Sequence, residues 1–226
     1  MDLLELHPWD VSPKEAVAIQ RDLAPQVVRE GDPRNVRRVA GVDISVDRAR
    51  GLGTGAVVVL SYPDLELVEV AVEQAPLTFP YVPGLLSFRE VPVLRAAFAR
   101  IAGPIDLLLV DGQGLAHPRR FGLACHLGLL LDVPAIGCAK SRLLGEHAPV
   151  AEAAGSRADL VDKGEPIGSV LRTRTNVRPL FVSLGHRIGL TEAETWVSRC
   201  CRGYRLPEPT RLAHLAAAGR VPTTAG

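Results

Sequence analysis

The apolar positions of this chain follow two periods, and the places where one gives way to the other predict its elements. Over SPKEAVAIQRDLAPQVV, residues 12–28, they recur at helical spacing. Ser12 stands where a cap belongs, Pro13 at the first helical position and Glu15 three residues after the cap, so an amphipathic helix is predicted. VRRVAGVDISVD (36–47) then reads as a strand, and GTGAVVVLSYPDLELVEVAVEQA (53–75) as two more joined by a turn around Tyr62, Pro63 and Asp64. FREVPVLRAAFARI (88–101) returns to helical spacing, with Pro92 near its start, where a proline is tolerated. IDLLLVD (105–111) is apolar almost throughout and bounded by Gly103-Pro104 and Gly112, the pattern of a strand covered on both faces.

RRFGLACHLGLLLD (119–132) predicts a helix and PAIGCAK (134–140) a strand. The order βββαβαβ argues for an α/β fold with a mixed central sheet: three antiparallel strands, then parallel strands, flanked by helices. Further on, GSVLRTRTNVRPLFVSLGHRIGL (168–190) predicts a hairpin turning near Asn176. TEAETWVSRCCRG (191–203) and PTRLAHLAAAG (209–219) predict helices capped by Thr191 and Thr210, and RVPTTAG (220–226) a frayed tail. There is no internal repeat.

Composition narrows the classes. The 226 residues suit one large domain spanning 1–226, with 47% hydrophobic and 23% charged residues as in a compact α/β protein. A formal charge of +1 argues against a strongly basic nucleic-acid coat and leaves room for a local phosphate-gripping patch. The start MDLLELHPWDVSPKEA lacks the basic and apolar regions of a signal peptide, and the run LGLLLDVPAIG is broken by Asp132 and Pro134, so no membrane partner is expected. Cys125, Cys138, Cys200 and Cys201 have neither metal-finger spacing nor a convincing disulfide framework. A reduced, cytoplasmic setting is expected.

The candidate chemistry lies at strand ends. DGQGLAHPRR (111–120) follows the apolar run directly, and a carboxylate at such a place is costly to desolvate unless something positive shares the site. In the predicted topology the first and fourth strands are neighbours, which sets Asp43 beside Asp111, and a helix packed over the sheet brings Glu90 to the same place. Hard oxygen ligands from separate elements suit Mg²⁺ or Mn²⁺, which can drive phosphodiester displacement. Each residue also has a plainer reading: Asp43 bonding a turn, Glu90 at the positive end of a helix, Asp111 capping the next turn. In PYVPG, Pro80 and Pro83 stiffen the loop around Tyr81, presenting its ring with little entropy left to lose; the plainer reading folds Tyr81 back onto the core.

VAGVDIS, PYVPGLLSFRE, DLLLVDGQGLAHPRRFGLACHLGLLLDVPAIGCAKSRL and YRLPEPTRLAH, in this order from about Val39 to His214, resemble the endonuclease V family, which cleaves DNA near deoxyinosine. The resemblance implies a ribonuclease H-like fold and a Mg²⁺-dependent repair endonuclease (Mn²⁺ substituting) that cuts the second phosphodiester 3′ to the lesion. It implies a metal centre of Asp43, Glu90 and Asp111, an active-site Lys140, and His117 and His214 near the reaction. It further implies a wedge of Pro80, Tyr81, Val82 and Pro83 inserted beside the lesion. Gly84, Leu86, Gly112 and Gly122 resemble the family's hypoxanthine pocket, and Arg89 and Arg119 are expected to contact phosphate, with Arg120 and the arginines of 172–178 as further candidates. A monomer is expected. Three other readings remain at this point: an inosine-specific ribonuclease on the same fold, a non-catalytic module recognising altered bases, and an unrelated metal-dependent phosphatase.

Overall fold

Ser12 does what its position predicts. Its Oγ accepts the Glu15 N–H at 3.3 Å while the Glu15 carboxylate accepts the Ser12 N–H at 2.7 Å, a reciprocal box that starts α1 (Pro13–Leu23). The computed structural model describes residues 1 and 3–220. Apart from Arg220, the tail expected to fray lies outside the described residues. α1 ends earlier than its apolar spacing suggests, because Pro25 lacks the N–H that would continue it, and a 3₁₀ turn over Ala24–Gln26 follows.

Three strands come next, β1 (Arg38–Asp47), β2 (Leu52–Ser61) and β3 (Leu67–Pro76), in the antiparallel meander expected. α2 (Leu86–Ala99), β4 (Leu107–Val110), α3 (Leu123–Leu131) and β5 (Ala135–Ala139) form the alternating part. β6 (Arg157–Asp162), β7 (Glu165–Leu171) and β8 (Leu180–His186) precede α4 (Leu190–Arg199) and α5 (Glu208–Ala217). One eight-stranded sheet runs in the order β3-β2-β1-β4-β5-β8-β7-β6. β4 lies parallel to both β1 and β5, and the remaining pairs are antiparallel. This is the mixed sheet expected for a ribonuclease H-like fold, widened by three further antiparallel strands.

The apolar run of β4 is explained by its place in the middle of that sheet. Its residues alternate faces, so Leu107 and Leu109 join the core under α4 and α5 while Leu108 and Val110 join the core under α2 and α3. On β1, Gly41 lets α5 sit against the strand backbone: a Cβ there would lie 2.1 Å from the carbonyl carbon of Pro209.

Local chemistry moved several predicted boundaries. α2 begins at Leu86, which puts Pro92 inside the helix rather than in its first turn. α3 begins at Leu123 rather than Arg119, because Arg120 takes a positive φ of 54° and Gly122 is tucked against the loop after β4. Gly189 and Pro207, not Thr191 and Thr210, hold the cap positions of α4 and α5, and Thr210 donates its hydroxyl to the Pro207 carbonyl at 3.0 Å. β6 was not predicted; it pairs with β7 across Lys163-Gly164, whose φ values of 55° and 80° suit a tight two-residue hairpin turn.

Candidate metal centre and base cavity

Asp43 lies two residues beyond Gly41, so its side chain shares the face that α5 covers. His214, in the last turn of α5, meets it there, with Nδ1 2.6 Å from Asp43 Oδ2. Asp111 directly follows β4, and its N–H reaches the Val42 carbonyl at 3.3 Å, which carries the β1/β4 ladder one residue further. Lys140 directly follows β5 and pairs through Nζ with Asp111 Oδ2. The sheet therefore delivers Asp43, Asp111 and Lys140 from three neighbouring strands. Carboxyl ends of parallel strands are where open α/β sheets build their sites.

Ligand atoms of Asp43, Asp111 and His214 all lie within 4.8 Å of one another. Asp111 Oδ2 is shielded from solvent, and the Lys140 ammonium is its charged hydrogen-bond partner. Two carboxylates and an imidazole whose ligand atoms converge in this way fit a divalent cation. The tight group differs from the expected trio: His214 stands in it, and Glu90, reaching over from α2, stands just outside. Glu90 is nonetheless part of the same electrostatic site. Burial of its carboxyl, with the fields of Asp43 and Asp111 adding to it, pushes its pKa up to about 8 against the pull of Arg89. Asp111 is raised in the same direction by burial and then by Asp43, opposed by Lys140 and His214. The centre holds more negative charge than its surroundings neutralise, a mark of functional carboxylates.

A cavity of about 360 Å³ adjoins Asp111, lined by Gly84, Leu86, Gly112, Gly122 and Lys140 among others. Tyr81, Val82 and Pro83 stand at its mouth, and Pro80 precedes them. Tyr81 is 72% exposed, so its ring is presented outward and not folded back onto the core. Gly122 approaches the backbone of Gln113 so closely that a Cβ would lie 2.3 Å from its carbonyl oxygen. The glycines here serve close backbone packing and line the cavity at once.

Other expected residues face the protein itself. His117 is 3% exposed and outside the carboxylate group; its Nε2 donates to the Gly84 carbonyl at 2.9 Å and its Nδ1 accepts the Arg119 N–H at 3.2 Å. Burial, and then Arg119, push its pKa down to about 4, so the ring is neutral at pH 7. Arg119 bonds Gln20 and the Gly84 carbonyl, Arg89 the Phe79 carbonyl, and Arg120 pairs with Asp162 and Glu165. Arg172 likewise serves three backbone carbonyls, whereas Arg174 and Arg178 are exposed. Of the guanidiniums expected on phosphate, those of Arg119, Arg89 and Arg172 bond loop carbonyls and that of Arg120 bonds carboxylates. Sequence reasoning passed over Gln20, which is 1% exposed and lines the cavity. Its signal was a polar residue in the buried stripe of α1, between Ala16 and Leu23.

Comparison with known proteins gives the family and the fold. The family model for Endonuclease V matches residues 21–215. Endonuclease V of Dehalococcoides mccartyi is 56% identical over 214 residues, covering 95% of this chain and 96% of the relative. Among crystal structures, Endonuclease V from Streptomyces avermitilis superposes with a TM-score of 0.88 at 40% identity, covering 93% of each chain. Endonuclease V of Ciona intestinalis, in complex with a 24mer DNA containing an inosine followed by a ribo-adenosine, gives 0.79 at 27% identity, covering 91% of this chain and 96% of that one.

Proposed function

The chain belongs to the endonuclease V family, and we propose that it is a Mg²⁺-dependent nuclease that recognises deoxyinosine in DNA and hydrolyses the second phosphodiester 3′ to it, leaving a 3′-hydroxyl and a 5′-phosphate. One observation carries the reading: the exposed ring of Tyr81 stands at the mouth of a cavity whose wall includes Asp111 of the carboxylate centre. Base capture and bond cleavage then share one surface. The relative from Ciona was crystallised on inosine-containing DNA, which supports the same substrate here.

The residues divide the work. Tyr81, stiffened by Pro80 and Pro83, fills the gap a departing base leaves in the stack, which offsets part of the unstacking cost. The cavity walls of Gly84, Gly112 and Gly122 bring backbone amides and carbonyls within reach of the base edge, and hypoxanthine fits where the amino group of guanine would be left unpaired. Asp43, Asp111 and His214 would hold the cation, with the Glu90 carboxyl beside it able to give up its proton to that positive charge. Mg²⁺ bound there, or Mn²⁺ in its place, would stabilise the charge of in-line displacement and acidify a water. Lys140, whose ammonium lies beside Asp111, would hold the scissile phosphate. Residues 1–226 would act as one catalytic domain and as a monomer, in the cytoplasm. Among the described residues no helix is long and apolar enough to cross a membrane.

The test is a labelled duplex with one deoxyinosine, incubated with Mg²⁺ or with chelator, and the product ends mapped. A metal-dependent nick at the second bond 3′ to the lesion, abolished in Asp43→Asn with binding retained, is expected. Binding without a nick would replace the reading with a recognition module. The ribo-adenosine in the Ciona oligonucleotide makes matched inosine RNA a necessary second substrate, and cleavage of RNA alone would move the activity to ribonuclease.

A further inference from the structure

Gly84 ends the PYVPG loop in a left-handed conformation, φ 79°, and its carbonyl is the focus of three donors. Gln20 Nε2 lies at 3.0 Å, His117 Nε2 at 2.9 Å and Arg119 Nη2 at 2.6 Å. A carbonyl oxygen has two lone pairs, so this one is more than satisfied. The donors are themselves tied together. Gln20 Nε2 also reaches the Phe121 carbonyl at 3.1 Å, its Oε1 accepts from Arg119 Nε, and His117 Nδ1 accepts the Arg119 N–H.

The other end of the loop is held too, by Arg89 on the Phe79 carbonyl. Tyr81 is thus an exposed ring on a segment pinned at both ends, by half-buried Arg89 at one and by buried Gln20 and His117 with half-buried Arg119 at the other. Nothing in the hydrolytic chemistry requires that arrangement. Gln20 belongs to α1, does not touch the carboxylate centre, and its 1% exposure makes a surface role untenable.

We propose that Gln20 is a positioning residue which, with His117 and Arg119, clamps the Gly84 carbonyl so that the Tyr81 loop is already rigid when it meets a base pair. The inference rests on the proposed function and adds a division within it. Prising a base from a duplex means that the ring must enter the stack as the base leaves, and a mobile loop would lose that contribution to the entropy of ordering itself. A base in an unpaired strand is already out of a duplex and needs no such wedge. The clamp therefore serves the duplex substrate far more than the single strand.

Single-turnover incision by Gln20→Met, which keeps the length and apolar stem of the side chain without its donors, separates the possibilities. One strand carrying deoxyinosine is used alone and in duplex. Loss of its bond to the Gly84 carbonyl predicts a fall on the duplex about tenfold greater than on the single strand, whose own fall reads what Gln20 contributes as part of the cavity wall. The half-saturating protein concentration for the duplex should rise while the rate at saturation holds. Should Gln20→Met fail to fold, Arg119→Lys, at a half-buried position, carries the same comparison. Equal losses on both substrates, or no loss on either, would overturn the clamp. Cleavage of neither substrate by the unmutated protein would instead overturn the proposed function, and the clamp with it.

Discussion

Replacing Glu90 by Gln should make the metal-free protein more stable at alkaline pH, although it removes a carboxyl group from the candidate centre. Glu90 keeps its proton up to about 8 in the folded chain, against an ordinary value of 4.5, because its carboxyl is buried beside Asp43 and Asp111. The unfolded chain loses that proton near its ordinary value. Between the two values the folded state binds more protons than the unfolded one, so stability falls as pH rises through that window. From pH 5 to pH 8 the loss integrates to about 3.5 kcal/mol, or roughly 10 °C in Tm for a chain of this size. Glu90→Gln preserves volume and removes the titration. Thermal unfolding in chelator at pH 5, 6.5 and 8 should therefore show a much shallower decline in the variant. Contributions from His117 and His126 are common to both proteins and cancel in the difference. A divalent cation added at pH 8 should raise the Tm of the unmutated protein, because it binds only the folded chain. Parallel pH curves for the two proteins would refute the reasoning.

Tyr81→Ala removes a ring that is 72% exposed, so its stability should change by less than about 0.5 kcal/mol in urea unfolding while duplex incision falls sharply. Gly41→Ala drives a methyl into the backbone of Pro209 and should cost about 3 kcal/mol, read in the same assay; incision should fall with it, because α5 carries His214 to Asp43. At the acid end the sign reverses. His117 is held down to about 4, so below 6.5 the unfolded chain takes up the proton that the folded chain refuses, and stability falls with pH. At pH 5 that amounts to about 2 kcal/mol, and His117→Gln should lose less between pH 7 and pH 5 than the unmutated protein in denaturant titrations.

The parts of this molecule that sequence made legible are those where one residue type has one physical use. Ser12, Pro13 and Glu15 together match a helix cap, and the apolar LLLV between glycine-bounded turns matches a strand covered on both faces; both elements form. Those elements led directly to Asp43 beside Asp111, because parallel pairing of β1 with β4 is the step that joins them. What sequence left dark depends on partners distant in the chain. Arginine next to an acidic motif looks like a phosphate ligand until a loop carbonyl claims it, as Gly84 claims Arg119 and Phe79 claims Arg89. His214 entered the tight carboxylate group and Glu90 did not because helix placement on a sheet depends on packing, here the glycine that seats α5 on β1.

The segment from Asp111 to Gly122 links the two halves of the site. It begins in the carboxylate centre, passes through His117 and Arg119 at the Gly84 clamp, and ends in the cavity wall. Its course is locked by backbone against backbone: Gly114 approaches Leu184 so closely that a Cβ would lie 2.1 Å from the carbonyl oxygen, and Gly122 is pressed in the same way against Gln113. The Gly122 N–H returns to the Gly114 carbonyl at 3.0 Å, and the Ser183 hydroxyl accepts the Gly114 N–H at 2.9 Å. A loop closed on itself in this way cannot lengthen or slide without opening the core beneath it. On the proposed function, the separation between a captured base and the bond lying over Asp111 is then fixed by one rigid segment, not by two elements that move independently. A nuclease that cuts at a constant distance from the lesion needs such a ruler, and the glycines of DGQG, with no side chains to accommodate, let the chain fold tightly enough to make one.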